Sequence, residues 1–123
     1  MGEYRLLKKD ECDIKDLFWS YYIDLVRDKV IPYQWEILND RIEDAEPSHA
    51  IDNFRIAAGD IEGHFYGEVF QDSDVSKWLE AVGNILMLSR DEKLEAQADS
   101  VIDIIARAQD ESGYLDTYFL IEA

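Results

Sequence analysis

The sequence has few of the residues that build cross-links and metal sites. It contains one cysteine, Cys12, and two histidines, His49 and His64. A single cysteine excludes a disulfide within the chain, and zinc needs three or four ligands. The two histidines lack the close spacing of helical or zinc-finger ligands. We therefore expect no metal or cofactor in this chain alone, and interpret Cys12 as an ordinary half-buried thiol.

Long apolar runs and positive charge are also scarce. No apolar run has the length of a membrane span, and the first residues lack the basic and apolar pattern of a secretory signal. The 28 Asp and Glu residues outnumber the 12 Lys and Arg residues, so the formal charge is −16. Such a surface repels phosphate backbones. We expect a cytoplasmic protein that binds neither membranes nor nucleic acids.

Apolar residues recur at three- and four-residue steps over most of the chain, which is the pattern of amphipathic helices. The clearest pattern predicts a helical hairpin within residues 69–119. The stripe of its first helix is Val75, Trp78, Leu79, Val82, Ile85 and Leu86. The stripe of its second helix is Leu94, Ala98, Val101, Ile102, Ile105 and Ala106.

Polar residues and glycines predict how the hairpin begins, turns and ends. Ser73 is the expected N-cap of its first helix, and Ser89 with Glu92 has the spacing of a capping box for the second. Gly113 stands where a helix C-cap is expected. Gly83 interrupts the first helix, which predicts a close approach of another helix there.

Three shorter helices are predicted before the hairpin. The first runs from Ile14 to about Val30, with its apolar stripe at Ile14, Leu17, Phe18, Tyr21, Leu25 and Val26. Pro32 should end or kink this helix and begin the next one. Ser48 is expected to cap a third helix that Gly59 stops. We therefore predict an all-α, mainly helical fold for residues 1–123 as one unit.

Two aromatic segments are expected to be less regular. Residues 60–71 predict an ordered loop with a short extended piece from Phe65 to Phe70. The final segment YLDTYFLIEA is predicted to be extended because it is aromatic and apolar.

The expected start of the first hairpin helix combines aromatic and acidic residues. A sugar site uses aromatic faces and fixed polar groups, and ordinary glycoside hydrolysis uses two carboxylates. The same residues could instead cap the helix and pack in the core, or could do both. The candidates for the wall of a substrate pocket are Phe70, Gln71, Asp72, Asp74 and Trp78.

Four segments occur in an order and spacing that resemble a known family. They are IPYQWEILND, HAIDNFRIAAG, FQDSDVSKWLEA and IARAQDESGYLDTYF. Together they resemble the N-terminal part of the catalytic domain of glycoside hydrolase family 127, the β-L-arabinofuranosidases, from about Phe18 to Phe119. The resemblance implies the first helices of an α/α barrel, incomplete in this chain, and a carbohydrate partner. Within these segments, His49 is expected to bond at a helix terminus and Arg55 to tie two helices together.

The resemblance also implies a chemistry that this chain lacks. Family members use a cysteine thiolate as nucleophile, near a zinc ion held by further cysteines and a glutamate. A separate glutamate acts as acid and base. These residues lie downstream of the matched part, so none can be assigned to a position here, and no catalytic residue is predicted. We expect the chain to build the barrel, to contribute to one wall of the sugar pocket and to be inert alone.

An alternative function remains open. Several apolar stripes would find only one partner within 123 residues. Exposed apolar surfaces of this kind are usually covered. The chain could therefore be a non-catalytic helical module that binds a protein partner or forms a symmetric homo-oligomer.

Overall fold

A computed structural model describes residues 5–8 and 11–122, and within these residues the fold consists of helices, turns and loops. The helices are α1 (Leu17–Leu25), α2 (Ile31–Leu38), α3 (Ala50–Ala57), α4 (Asp72–Leu88), α5 (Glu92–Ala108) and α6 (Thr117–Glu122). A π-helical turn, Val26–Val30, joins α1 to α2. The described part contains no strand, which confirms the prediction of an all-α fold. None of its helices has both the length and the apolar character needed to cross a membrane.

Pro32 lies at the start of α2, as predicted, but no loop separates α2 from the helix before it. It is the second residue of α2 and follows the π-helical turn directly, so the helical path continues from Leu17 to Leu38. A proline has no N–H and leaves a carbonyl without its usual donor. The turn before it already departs from α-helical bonding, because the N–H of Ile31 donates to the carbonyl of Val26, five residues earlier. The disturbance is therefore confined to one turn.

The helix predicted from Ile14 begins three residues later. The N-cap is Asp16, whose Oδ1 accepts from the backbone N–H of Trp19 at 2.8 Å. No residue of α1 is buried, and most of its predicted apolar stripe points outward. Leu17 is 94% exposed, and the large exposed side chains that follow it are Phe18, Trp19, Tyr21 and Tyr22.

The core lies between α2, α3, α4 and α5, and Trp78 is its largest side chain. Trp78 is 1% exposed and stacks on Trp35 with ring centroids 4.8 Å apart. Its indole N–H donates to the carbonyl of Ile31 at 3.2 Å, which joins α4 to α2. The other core residues are Leu38, Ala50, Ile51, Phe54, Val75, Val82, Ile85, Leu94, Ala98, Val101 and Ala108.

The helical hairpin is present as α4 and α5, but its predicted caps are wrong. The N-cap of α4 is Gln71, so Ser73 already lies within the first turn. The N-cap of α5 is Asp91, whose Oδ1 accepts from the N–H groups of Lys93 and Leu94, each at 3.0 Å. Ser89 is instead the C-cap of α4. The aspartate immediately before the helix takes the orphan N–H groups that a capping box would have used.

The two glycines of the hairpin also behave differently from the prediction. Gly83 is exposed, and a side chain added there would meet nothing within 4 Å, so no other helix approaches closely. Gly113 does not cap α5, which ends at Ala108. It has a φ of 88° and closes a turn in which its N–H donates to the carbonyl of Asp110 at 2.8 Å.

α3 begins one residue later than predicted. Its N-cap is His49, with a φ of 56°, and Ser48 makes no side-chain cap. The carboxylate of Asp40 instead accepts the backbone N–H groups of Ser48 at 2.5 Å and of His49 at 3.1 Å. Gly59, with a φ of 76°, follows the end of α3 as predicted.

Arg55 does not tie two helices together. Its guanidinium donates to Asp52, three residues earlier in α3, at 2.8 Å. The prediction was therefore wrong, because the nearest carboxylate lies on the same helix.

The segments predicted to be extended are held by side chains from distant positions. Residues 65–70 form a loop whose backbone at Tyr66 pairs with the buried amide of Asn53, through bonds of 2.8 Å and 3.1 Å. The final segment contains α6, so its extended prediction was wrong. Its aromatic composition is compatible with a helix that gains its partners from elsewhere in the chain.

Candidate functional site

The first turns of α4 face α2 across a cleft of about 490 Å³. Two of the predicted wall residues, Asp74 and Trp78, line this cleft. The other polar side chains around it, to which the sequence assigned no place in a site, are Gln34, Ser48 and Lys77. The three- and four-residue spacing of Asp74, Lys77 and Trp78 could have shown that Lys77 shares their face of the helix.

Trp78 forms the floor of the cleft. One face of its ring is covered by Trp35, and its N–H is used by the carbonyl of Ile31. With only 1% of its surface exposed, Trp78 contributes shape to the cleft and offers no open ring face.

Asp74 lies at the polar edge of the cleft. Its Oδ2 accepts from Nε2 of Gln71 at 3.3 Å, and its Oδ1 lies 3.5 Å from Nζ of Lys77. Lys77 also donates to Oγ of Ser73 at 3.3 Å. This edge presents a carboxylate, an amide and an ammonium group, which can donate and accept hydrogen bonds as sugar hydroxyls require.

Asp72 faces α6. Its Oδ1 accepts from the hydroxyl of Thr117 at 2.6 Å, and its Oδ2 accepts from the backbone N–H of Thr117 at 2.8 Å. Asp72 and Asp74 therefore have different partners, and the two carboxylates do not form the opposed pair of ordinary glycoside hydrolysis. Thr117 was missed by the sequence analysis because no local pattern connects residues 45 positions apart.

Phe70 and Gln71 precede α4 and complete the predicted set. Phe70 is 70% exposed, beside the start of the helix. Gln71 is half-buried, and its Oε1 accepts from the N–H of Glu68 at 3.3 Å while its Nε2 binds Asp74. The structure thus brings Asp74 and Trp78 to one cleft, bonds Gln71 to Asp74 beside it, leaves Phe70 at the surface and directs Asp72 to another helix.

His49 belongs to a second polar group. Its Nδ1 lies 3.3 Å from Oδ2 of Asp40, and its ring lies 4.8 Å from the ring of Tyr66. The hydrogen bonding at a helix terminus that was predicted for His49 is provided by its backbone, because its side chain forms no cap. The group fixes the loop before α3 to the loop after it.

An ion pair between Arg107 and Asp60, away from the cleft, shifts the pKa values of both side chains. Arg107 of α5 pairs with Asp60, and its hydrogen bond holds the pKa of that carboxyl below its usual value. The pKa of Arg107 is raised in turn, first by Asp60 and then by Asp103. Asp103 lies 3.1 Å from Arg107 on the same helix. The pair joins α5 to the loop after α3, at Asp60.

The described residues do not fit the zinc ion that the family resemblance implies. Cys12 is exposed, which corrects the half-buried interpretation. Within residues 5–8 and 11–122, no three His, Cys, Asp or Glu side chains converge on a point that could hold a metal ion. Zinc in a complete protein of this family therefore stays a prediction.

Comparisons with known proteins identify the family. Residues 11–123 match the model of the β-L-arabinofuranosidase GH127 catalytic domain. A non-reducing end β-L-arabinofuranosidase from Bifidobacterium longum is 42% identical over 118 residues, which cover 86% of this chain and 18% of that protein. A crystal structure of a GH127 β-L-arabinofuranosidase from Geobacillus stearothermophilus T6 is 64% identical, with a TM-score of 0.88 over 89% of this chain and 17% of that one.

The family match, the identity and the shared helical fold agree with one another. The chain spans less than a fifth of the length of these two relatives. It belongs to the GH127 β-L-arabinofuranosidase family, and it corresponds to the N-terminal part of the family's catalytic domain.

Proposed function

We propose that this chain serves in the hydrolysis of β-L-arabinofuranosides, as the opening helices of an α/α barrel. The observation that carries the proposal is the 64% identity to the Geobacillus enzyme over 89% of this chain, at a TM-score of 0.88. Relatives at this identity share their fold in detail. The activity named for that enzyme and for the Bifidobacterium enzyme is the activity proposed for a protein that contains this chain.

The exposed side of α1 supports a place within a larger helical assembly. Leu17, Phe18 and Tyr21 are 94%, 60% and 62% exposed, and they lie on one side of a helix with no buried residue. Apolar surfaces of this extent are usually covered. In an α/α barrel, each helix packs against neighbours on two sides, so the following helices of the barrel would cover α1.

We propose that the start of α4 shapes one wall of the sugar pocket, with the set Phe70, Gln71, Asp72, Asp74 and Trp78 predicted from the sequence. The polar edge at Asp74 supports this role because its partners, Gln71 and Lys77, are held by long contacts of 3.3 Å and 3.5 Å. Such partners can be exchanged for sugar hydroxyls at little cost. Trp78 supports the wall from below by its shape.

The chemical step is assigned to residues outside this chain. The nucleophilic cysteine, the acid and base glutamate and the zinc ligands implied by the family have no counterpart among its positions. The isolated 123-residue chain is therefore inert, and a bound sugar is the partner of the complete protein. The cytoplasmic location and the zinc ion of that protein belong to this proposal as predictions, to be tested by cell fractionation and by metal analysis.

The experiment compares two proteins on an aryl β-L-arabinofuranoside. A polypeptide that carries this chain with the remaining length of the family's catalytic domain should release the aryl group, and the 123-residue chain alone should not. Hydrolysis by the chain alone would overturn its inert role. Within the longer protein, Asp74→Asn should raise KM, whereas Asp99→Asn, at an exposed position of α5, should leave KM and kcat unchanged. An unchanged KM in Asp74→Asn would remove Asp74 from the wall.

The alternative, a non-catalytic module that self-associates or binds a protein partner, has no observation in its favour beyond the exposed face of α1. Its test is the oligomeric state of the longer protein. A dimer that dissociates when Leu17 is replaced by Ser, in a protein without hydrolytic activity, would establish the alternative and overturn the barrel assignment.

A further inference from the structure

Asp72 connects the proposed pocket wall to a distant part of the chain. It is the first residue of α4, and both of its carboxylate oxygens bind Thr117, the first residue of α6. The distances are 2.6 Å to the hydroxyl and 2.8 Å to the backbone N–H. Thr117 is 0% exposed and Asp72 is half-buried, so water competes little for either bond.

The start of α6 depends on this carboxylate. The first N–H groups of a helix have no partner within the helix, and a buried N–H without a partner is costly. Asp72 supplies the partner of the Thr117 N–H from another helix. The negative charge of Asp72 is itself favoured by its position in the first turn of α4.

The other end of α6 is also held from outside. Oε1 of Glu122 accepts from the N–H of Phe65 at 3.0 Å, and the rings of Phe65 and Tyr118 meet edge to face at 5.2 Å. A helix of six residues is not stable by itself, because nucleation costs more than its few bonds return. The position of α6 is therefore decided by its packing against α3 and by its bonds to Asp72 of α4 and to Phe65 in the loop before α4.

We propose that Asp72 is a positioning residue of the sugar pocket, which acts by fixing α6 against the start of α4 and makes no contact with the sugar. The proposal rests on the proposed function, because it takes the start of α4 as the pocket wall. Asp72 and Asp74 therefore have different roles. Asp74 faces the cleft with exchangeable partners, whereas Asp72 has both oxygens occupied by one buried threonine.

The test uses Thr117, which is bonded to Asp72 and lies at the end of α6 away from solvent. In the longer protein that carries the catalytic domain, Thr117→Val removes the hydroxyl and keeps the size of the side chain, and Thr117→Ser is the matched control that keeps the hydroxyl. Asp72→Asn removes the charge. Two quantities are measured, namely amide hydrogen exchange of residues 117–122 and the values of kcat and KM on an aryl β-L-arabinofuranoside.

We expect Thr117→Val and Asp72→Asn each to speed exchange in residues 117–122 by about tenfold, the size that loss of a charge-assisted hydrogen bond gives. Both variants should lower kcat/KM by a similar factor, and the double variant should be no worse than the poorer single variant. Thr117→Ser should restore both quantities to nearly the wild-type values.

Three results would overturn the proposal. If Asp72→Asn lowers kcat/KM far more than Thr117→Val, and the two effects add, Asp72 binds the sugar directly. If exchange in residues 117–122 is unchanged in both variants, Asp72 does not fix α6. If the wild-type longer protein hydrolyses no arabinofuranoside, the proposed function fails and the pocket role of Asp72 fails with it, while the exchange data still decide whether Asp72 fixes α6.

Discussion

Trp78 of α4 donates its indole N–H to the carbonyl of Ile31 at the start of α2, at 3.2 Å. The bond lies in the core, where both residues are 1% exposed. A buried tryptophan needs a partner for its N–H, and here the partner belongs to the helix on which its ring also stacks. One side chain thus fixes the distance between two helices by packing and by a hydrogen bond.

Replacing this tryptophan should destabilise the fold. Trp78→Phe removes the donor and part of the ring that covers Trp35, so we expect the free energy of unfolding to fall by about 1–3 kcal/mol. Urea unfolding followed by circular dichroism measures the loss. Trp19→Phe is the control, because Trp19 is 56% exposed and should change stability by less than about 0.5 kcal/mol. Equal effects of the two substitutions would contradict the assignment of Trp78 to the core.

Asn53 should be the most sensitive polar residue of α3. Its amide is 0% exposed and satisfies both the N–H and the carbonyl of Tyr66. Asn53→Ala leaves those two groups without partners, at a cost of about 2 kcal/mol or more. Asn84→Ala is the matched control, since the side chain of exposed Asn84 donates to the carbonyl of Glu80 in its own helix. The rate of amide hydrogen exchange near Tyr66 should rise in Asn53→Ala only. If the amides near Tyr66 stay protected in Asn53→Ala, the bonds from Asn53 do not hold this loop.

The ion pair between Asp60 and Arg107 predicts a pH dependence. The pKa of Asp60 is below its ordinary value of about 3.9 because Arg107 binds the carboxylate. Its stabilising contribution is therefore complete above about pH 5 and is lost as the pH falls through the ordinary value towards the lower pKa of the folded state. The gap in unfolding free energy between wild type and Asp60→Asn should be constant from pH 7 to about pH 5 and shrink at lower pH.

The control for this pH series is Asp99→Asn on the exposed side of α5. Asp99 has no ion pair within the described part of the chain, so its substitution reports the general effect of removing one negative charge. The difference in unfolding free energy between Asp99→Asn and wild type should change with pH only as the overall charge changes. If the curves of the two variants run parallel down to pH 2, the pairing of Asp60 with Arg107 does not contribute to stability.

Gly83 offers a stabilising substitution. It lies inside α4, is exposed and has no neighbour within 4 Å of the place where a side chain would begin. Gly83→Ala should raise the free energy of unfolding by about 0.5–1 kcal/mol, because glycine is entropically costly inside a helix. Gly113→Ala should lower it by about 1 kcal/mol, since Gly113 has a φ of 88°. Thermal unfolding measures both, and a loss of stability in Gly83→Ala would show an unseen contact.

The helices themselves could be predicted because apolar periodicity records which side of a segment is buried. Val75, Trp78 and Val82 recur at helical spacing, and all three lie in the core. The ends of the helices were harder to predict. Serine and aspartate are equally good N-cap residues, so the sequence does not show that Asp91 and Asp40, and not serines, accept the first N–H groups. The final helix was missed because its bonds to Asp72 and Phe65 come from far along the chain, where local composition carries no signal.

For the proposed pocket wall, too, one part could be predicted from the sequence and another could not. Asp74 and Trp78 could be placed on one helical face from their spacing, and both line the cleft. The partner of Asp72 could not be predicted. Residues 72 and 74 are two positions apart on a helix and therefore point in different directions, but only the folded chain shows that Thr117 lies beside the first of them.

The π-helical turn determines which side of the helical segment from Leu17 to Leu38 faces the core. The side chains that face the core are Ile23, Val26, Ile31, Trp35 and Leu38, and the step of five residues falls within Val26–Val30. An uninterrupted α-helix turns by about 100° per residue, so without the extra residue Val30 would take the inward place of Ile31. The extra residue rotates α2 relative to α1, so that one continuous backbone presents α2 to the core at Trp78 while α1 keeps a differently oriented apolar side exposed.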